Sequence, residues 1–128
     1  MERRQVFRVL ISVSNKDKLP IFAKELDSLG IEIVSTGGTS RAIAEEGINV
    51  DSVEKVTNFP EMMGGRVKTL HPHIFGGILA RDSDLEEIKE HNINLFDMVV
   101  CNLYPFKEAA SKGMDLTALI EEIDIGGP

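Results

Sequence analysis

The 128-residue sequence has no tryptophan, one tyrosine and one cysteine. A lone cysteine excludes an internal disulfide. Cys101 lies in the apolar run DMVVCNLY, where a buried thiol with a packing role is expected rather than a nucleophile. No apolar run approaches the roughly 20 residues that a helix needs to cross a bilayer. The first ten residues, MERRQVFRVL, lack the apolar core and cleavage site of a secretory signal. Positive charge is also short: 14 Lys and Arg against 21 Asp and Glu leave a net charge of −7. Such an acidic field argues against nonspecific binding to nucleic acid or an anionic membrane, although a small anion needs only local positive charge. Neither GxGxxG nor GxxxxGKS/T occurs, so dinucleotide and P-loop readings lose their support. What these absences leave is a soluble, cytoplasmic chain with 42% hydrophobic and 27% charged residues, long enough for one domain with a sizeable core.

Strands and helices alternate along it, with no internal repeat and no linker. VFRVLISV (6–13) is apolar and β-branched, as a buried parallel strand requires. NKDKLPIFAKELDSLG follows as a helix with Leu19, Phe22, Ala23, Leu26 and Leu29 at helical spacing, Pro20 in its first turn and Gly30 as its stop. IEIVS (31–35) is a second strand. TGGTSRAIAEEG is a glycine turn opening a short helix, and INVDSV (48–53) a weaker strand. FPEMMGG is expected to form one helical turn. DSDLEEIKEHNI should be a helix capped by Asp82 or Ser83, with Leu85, Ile88 and Ile93 inward. FDMVVCNLY (96–104) is a third clear strand, and MDLTALIEEI (114–123) a final helix with Asp115 as its cap. The alternation implies an α/β fold in three layers, a parallel sheet with helices on both faces.

Ligands of such sheets bind at the carboxyl ends of the strands. Three loops converge there. The first brings Ser12, Ser14 and Lys16 (SVSNK), and the second brings Ser35, Thr36, Gly37, Gly38 and Thr39 (STGGT). The third brings Asn102 and Tyr104 (NLYPF). Hydroxyls, unobstructed glycine amides and a helix N-terminus are the ingredients of a phosphate cradle. Each piece also has a plain reading, since Ser and Thr cap helices and glycine pairs make turns. The stretch GGRVKTLHPHIFGGILAR adds cations between two glycine pairs. Arg66 can offer a bidentate fork to an anion, and Lys68 a mobile charge able to donate a proton. His71 and His73 flank Pro72 without a cysteine or carboxylate at ligand spacing. They are read as structural, and no metal is expected. Asp124, in EIDIGGP, is either a turn residue or a carboxylate that tunes a lysine.

SVSNK, STGGT, FPEMMGGRVKTLHPHIFGGILAR, CNLYPF and EIDIGGP, in this order and spacing, resemble the inosine monophosphate (IMP) cyclohydrolase domain. That domain is the N-terminal part of a bifunctional purine-biosynthesis protein, whose other half is aminoimidazole carboxamide ribonucleotide (AICAR) transformylase. The resemblance covers nearly the whole chain and implies a methylglyoxal synthase-like fold. The implied reaction closes 5-formamidoimidazole-4-carboxamide ribonucleotide (formyl-AICAR) to IMP with loss of water and no cofactor. It also implies that Ser12, Ser14, Lys16 and the turn from Thr36 to Thr39, entered from Ser35, hold the 5′-phosphate. Arg66, Lys68 and Thr69 reach the reacting carboxamide and formyl groups, with Lys68 stabilising the formyl oxygen or protonating the departing water. Tyr104 and Asp124 orient and deprotonate the attacking amide. Asn102, Gly126 and Gly127 support base or ribose contacts, and the glycine pairs let the backbone approach the nucleotide. Family members pair as homodimers.

In the family, IDIGG leads into a helix with an RAAAKNH-like segment whose lysine belongs to the active site. Residues 1–128 therefore read as a cyclohydrolase domain shortened at its C-terminal end, expected to bind nucleotide weakly and turn over poorly. Two alternatives use the same fold: a methylglyoxal synthase-type phosphate lyase, which needs a carboxylate beside the cradle, and a regulatory nucleotide-binding module. RVKTLHP with Tyr104 and Asp124 separates them, because a purely regulatory phosphate site has no chemical use for those groups.

Overall fold

RVLIS has no charged residue after its first, and a strand buried on both faces needs that run of apolar positions. In the computed structural model, which describes residues 5–64 and 68–102, this segment is β1 (Arg8–Ser12), the second strand from one edge of a four-stranded sheet. Helix α1 (Leu19–Ser28), β2 (Glu32–Ser35), α2 (Gly37–Glu45), β3 (Asp51–Ser52) and α3 (Val53–Thr57) follow. Helix α4 (Pro72–Leu79), a short 3₁₀ turn (Asp82–Asp84), α5 (Leu85–Glu90) and β4 (Met98–Cys101) complete the described fold. The spatial order is β3-β2-β1-β4 and every pairing is parallel, as the alternation of elements predicts.

Period-two alternation sends successive side chains to opposite layers. Val9, Ile11 and Ile33 join Leu19, Ala23 and Leu26 of α1 and Ile43 of α2 in one core. Leu10 and Val34 join Val53 of α3, Ile74 of α4 and Phe96 in the other. Pro20 stands in the first turn of α1, where its missing N–H costs nothing. Gly30, at φ +75°, takes the left-handed conformation that lets the chain turn from α1 into β2. At the amino end of the sheet the protein satisfies its own charges. Asp97 accepts the Phe7 and Arg8 amides at 2.9 Å, and the buried Arg8 reaches Glu32 at 3.3 Å and lies 4.2 Å over the Phe96 ring.

The structure corrects several sequence expectations. INVDSV supplies only two strand residues, because Ser52 accepts the Lys55 amide and starts α3 at Val53. The described part of FPEMMGG, residues 59–64, is not helical; it includes a turn with Met63 and Gly64 at positive φ. PHIFGGIL, to which the sequence assigned no element, is α4. The turn at 82–84 is flanked by Arg81, whose amide and guanidinium both bond the Asp84 carboxylate, so neither Asp82 nor Ser83 is the cap. Leu85 is exposed whereas Ile88 is buried. Cys101 is exposed as well. It lies on an edge strand whose Met98 and Val100 pack into the first core, so Val99 and Cys101 alternate outward. The helix expected at 114–123 lies outside the described residues.

Candidate functional site

The strand order reverses at β1: the chain moves outward through β2 and β3, then returns to place β4 on the other side. A crevice forms at the carboxyl ends of strands where such a reversal occurs. Here the segments after β1, β2 and β4 are tied together there. Asn102, just after β4, accepts the Ser14 amide at 2.7 Å and the Ser14 hydroxyl at 2.9 Å, and its own amide reaches Asn15 O at 3.4 Å. The Ser12 and Thr36 hydroxyls share a hydrogen bond of 2.8 Å, and Thr39 both donates to Val13 O and accepts from Val13 N.

These bonds exclude a plain side-chain cap by Thr36. Thr36 occupies the cap position of α2, yet its side chain makes no cap hydrogen bond, because its hydroxyl is turned to Ser12. Helix geometry leaves the first amides without an intrahelical acceptor. The Ser40 amide is bonded within the helix, to Thr36 O at 2.8 Å. The Gly38 and Thr39 amides precede it at the positive end of the helix dipole. Two cations overhang this turn. A methyl placed at Gly38 would lie 3.7 Å from Arg41 Nη2 and 3.8 Å from Lys16 Nζ. Among the described residues Lys16 donates to the carbonyls of Val13 and Ser14, and neither cation has a carboxylate partner.

One anion is already present. The Glu61 carboxylate accepts the Gly37 amide at 3.3 Å, and its Oε1 would stand 3.4 Å from a methyl at that glycine. Sequence reasoning singled out neither Glu61 nor Arg41. Arg41 carried a signal, since it is three residues past Gly38 and helical side chains slope back toward the N-terminus. Glu61 carried none, because 24 residues separate it from Gly37.

The remaining expected residues divide. Ser12, Ser14, Lys16, Thr36, Gly37, Gly38, Thr39 and Asn102 are brought to one edge. Ser35 is 0% exposed with its hydroxyl toward Thr36 O, so it floors the turn rather than facing a ligand. Thr69 is also 0% exposed, while Lys68 is half-buried ahead of α4. Arg66, Tyr104, Asp124, Gly126 and Gly127 lie outside the described residues. His71 and His73 serve α4: His71 Nδ1 accepts the His73 amide at 3.1 Å as the helix cap, and His73 Nδ1 lies 3.3 Å from Val56 O. Partial burial first, and the neighbouring His73 second, hold the His71 pKa below the usual imidazole range.

The second glycine pair has no open approach to a nucleotide. A methyl at Gly77 would stand 2.5 Å from Asn94 O and 2.9 Å from the Phe96 ring, and one at Gly76 would stand 3.0 Å from Ile93. Gly76 and Gly77 therefore let α4 lie against the segment leading into β4, sealed by the Phe96 amide donating to Gly77 O. A cavity of about 560 Å³ lies beyond, between α4 and α5, lined mainly by apolar groups with His71, His73 and His91 at its walls. Among the described residues no cluster of histidine, cysteine and carboxylate side chains could hold a metal ion, and no helix is long and apolar enough to cross a membrane.

Comparison with known proteins gives a consistent context. A family model described as the MGS-like domain matches residues 18–128. The chain is 55% identical over 125 residues to the bifunctional purine biosynthesis protein PurH of Anoxybacillus flavithermus, covering 94% of this chain and 24% of that protein. It is 53% identical over 126 residues to PurH of Bacillus subtilis, again covering 94% of this chain and 24% of the relative. The chain thus spans about a quarter of the length of the curated relatives it matches. The crystal structure of ForH superposes with a TM-score of 0.78 at 33% identity, covering 97% of this chain and 65% of that one.

Proposed function

The chain belongs to the MGS-like domain family, and from that premise we propose that it is the IMP cyclohydrolase part of a bifunctional purine-biosynthesis protein. The reaction is closure of 5-formamidoimidazole-4-carboxamide ribonucleotide to IMP. The observation that carries this reading is the identity of more than half the residues to proteins named for purine biosynthesis. The cradle at the strand ends suits the 5′-phosphate that both substrate and product carry.

In this reading the phosphate sits on the first turn of α2, on the amides of Gly38 and Thr39, with Lys16 and Arg41 as counter-charges. Ser12 and Thr36 shape the turn, and Asn102 fixes the Ser14 loop against it. Anchoring the phosphate leaves the base end to be placed against Arg66 and Lys68; Thr69 is as fully buried as Ser35 and backs the loop rather than facing the substrate. Both reacting groups belong to one molecule, so positioning them supplies much of the acceleration. The carboxamide nitrogen bonds to the formyl carbon and the formyl oxygen gains negative charge. Lys68 stabilises and protonates that oxygen, while Asp124, with Tyr104, takes one proton from the amide nitrogen; a second proton, lost from the formamido nitrogen as the ring C=N bond forms, completes the departing water. No metal or organic cofactor enters the scheme, and the protein acts as a cytoplasmic homodimer.

The phosphate-lyase alternative needs a carboxylate base beside the cradle. Among the described residues Glu61 is the carboxylate found there, but it occupies a backbone amide of the cradle itself, where an anion rather than a reacting carbon would sit. An ultraviolet assay of IMP formation, run on this chain and on a version extended beyond Pro128, tests the cyclohydrolase reading. Activity in the longer chain supports it, and activity confined to that chain places part of the site beyond residue 128. Nucleotide binding without activity in either supports the regulatory module instead. In the active form Lys68→Ala should lower kcat by about 100-fold or more with little change in KM, because its contact strengthens in the transition state. A rise in KM alone would reassign Lys68 to ground-state binding.

A further inference from the structure

Glu61 is the feature of the cradle that the proposed chemistry leaves unused. A phosphate-binding turn normally gains from every backbone amide it can offer, and a carboxylate on one of them both removes a donor and repels a dianion. Its placement is specific. Gly37 carries no side chain, and Glu61 Oε1 and Oε2 fill the space beside it at 3.4 and 3.7 Å from the methyl position. The carboxylate joins the Gly37 amide at 3.3 Å, and among the described residues no cation pairs with it. On the other flank of the turn Lys16 and Arg41 lean over Gly38, likewise without carboxylate partners.

We infer that Glu61 is a built-in competitor for the phosphate: its carboxylate satisfies the Gly37 amide while the cradle is empty, and a phosphate monoester displaces it when Lys16 and Arg41 engage the incoming charge. This rests on the phosphate reading of the cradle and adds a selectivity device to it. A weak or monovalent anion cannot outbid the resident carboxylate, whereas a dianion held by two cations and the helix end can. Arg41 is thereby a binding residue of the cradle, one turn inside α2.

Occupation by Glu61 lowers apparent affinity by the fraction of molecules in which the amide is free. The test is calorimetric titration of ribose 5-phosphate into the unmodified chain and into Glu61→Gln, Glu61→Ala, Lys16→Ala and Arg41→Ala variants, each first checked for cooperative thermal unfolding. Both Glu61 variants should bind about tenfold more tightly. Lys16→Ala and Arg41→Ala should each bind about tenfold more weakly, as loss of a charge-assisted contact implies. If ribose 5-phosphate binds the unmodified chain and loses affinity in Lys16→Ala, but Glu61→Gln binds equally or less well, the competitor role is overturned and the cradle stands. If no folded variant binds at all, the phosphate reading falls and takes this proposal with it.

Discussion

Helices α2 and α4 lie in opposite layers of the sheet, and each carries a glycine pair, yet the two pairs do opposite work. Helix α4 closes its own first turn: His71 caps it through Nδ1, and Pro72 stands where an amide would otherwise be unsatisfied. At Gly77 the backbone and ring atoms of residues 94 and 96 leave no room for a side chain, and at Gly76 a methyl would press on the Ile93 side chain. Helix α2 leaves its first turn open. Thr36 gives its hydroxyl to Ser12, and around Gly37 and Gly38 the nearest atoms belong to the ends of long side chains, those of Glu61, Lys16 and Arg41. Side-chain ends can move aside for a ligand and packed backbone cannot. The same dipeptide thus marks a packing seam in one layer and, in the other, a first turn bordered by side-chain ends that can move.

Gly77→Ala is the sharpest way to break that contrast. A methyl 2.5 Å from Asn94 O forces α4 away from the 93–96 segment. Overpacking of this kind should cost about 3 kcal/mol, less about 1 kcal/mol regained from helix propensity, so the melting temperature should fall by several degrees. An unchanged melting temperature would show that α4 can shift freely and that the seam is not tight.

His71→Ala comes next. Loss of the α4 cap should cost about 1 kcal/mol in denaturant unfolding near neutral pH. The pH dependence has a definite sign. The folded-state pKa of His71 is lowered, so the unfolded chain takes up a proton first, and the unfolded value is near 6.5. Its stabilising effect is present above about 6.5 and is lost as pH falls below that toward the lowered value. Acid destabilisation as pH falls from neutral through about 6.5 should be smaller in His71→Asn, whose amide caps without titrating. An identical slope in the two proteins would remove His71 from the acid response.

Gly38→Ala should have the smallest effect on stability, within about 1 kcal/mol and of either sign, because its nearest neighbours at 3.7 Å and beyond are mobile side chains. Ribose 5-phosphate affinity should nevertheless fall by several-fold, since the added methyl stands between the helix end and its two cations. A loss of stability matching that of Gly77→Ala would erase the distinction between the two glycine pairs.

Much of the fold is legible without coordinates. β1 and β2 announce themselves as strands covered on both sides, and α1 by its apolar spacing, its early proline and Gly30. The strand-end rule places Ser12, Lys16, Thr36 and Gly38 at one edge. Helix α4 is not legible, because two interior glycines speak against a helix despite the favourable initial proline, and packing against Ile93, Asn94 and Phe96 makes the segment one. Cys101 reads as buried in an apolar run, but its edge position sends it outward.

The sequence by itself determined the parallel layered sheet and the gathering of hydroxyls, glycines and a lysine at its carboxyl edge. Local periodicity and turn chemistry are properties of neighbouring residues, and neighbours are what a sequence displays. Only the tertiary structure decided that Thr36 forgoes its cap for Ser12, that Lys16 of the preceding loop comes over Gly38, and that Glu61 reaches the Gly37 amide. Those contacts depend on distances between segments many residues apart, which packing of the two cores sets and no local pattern encodes.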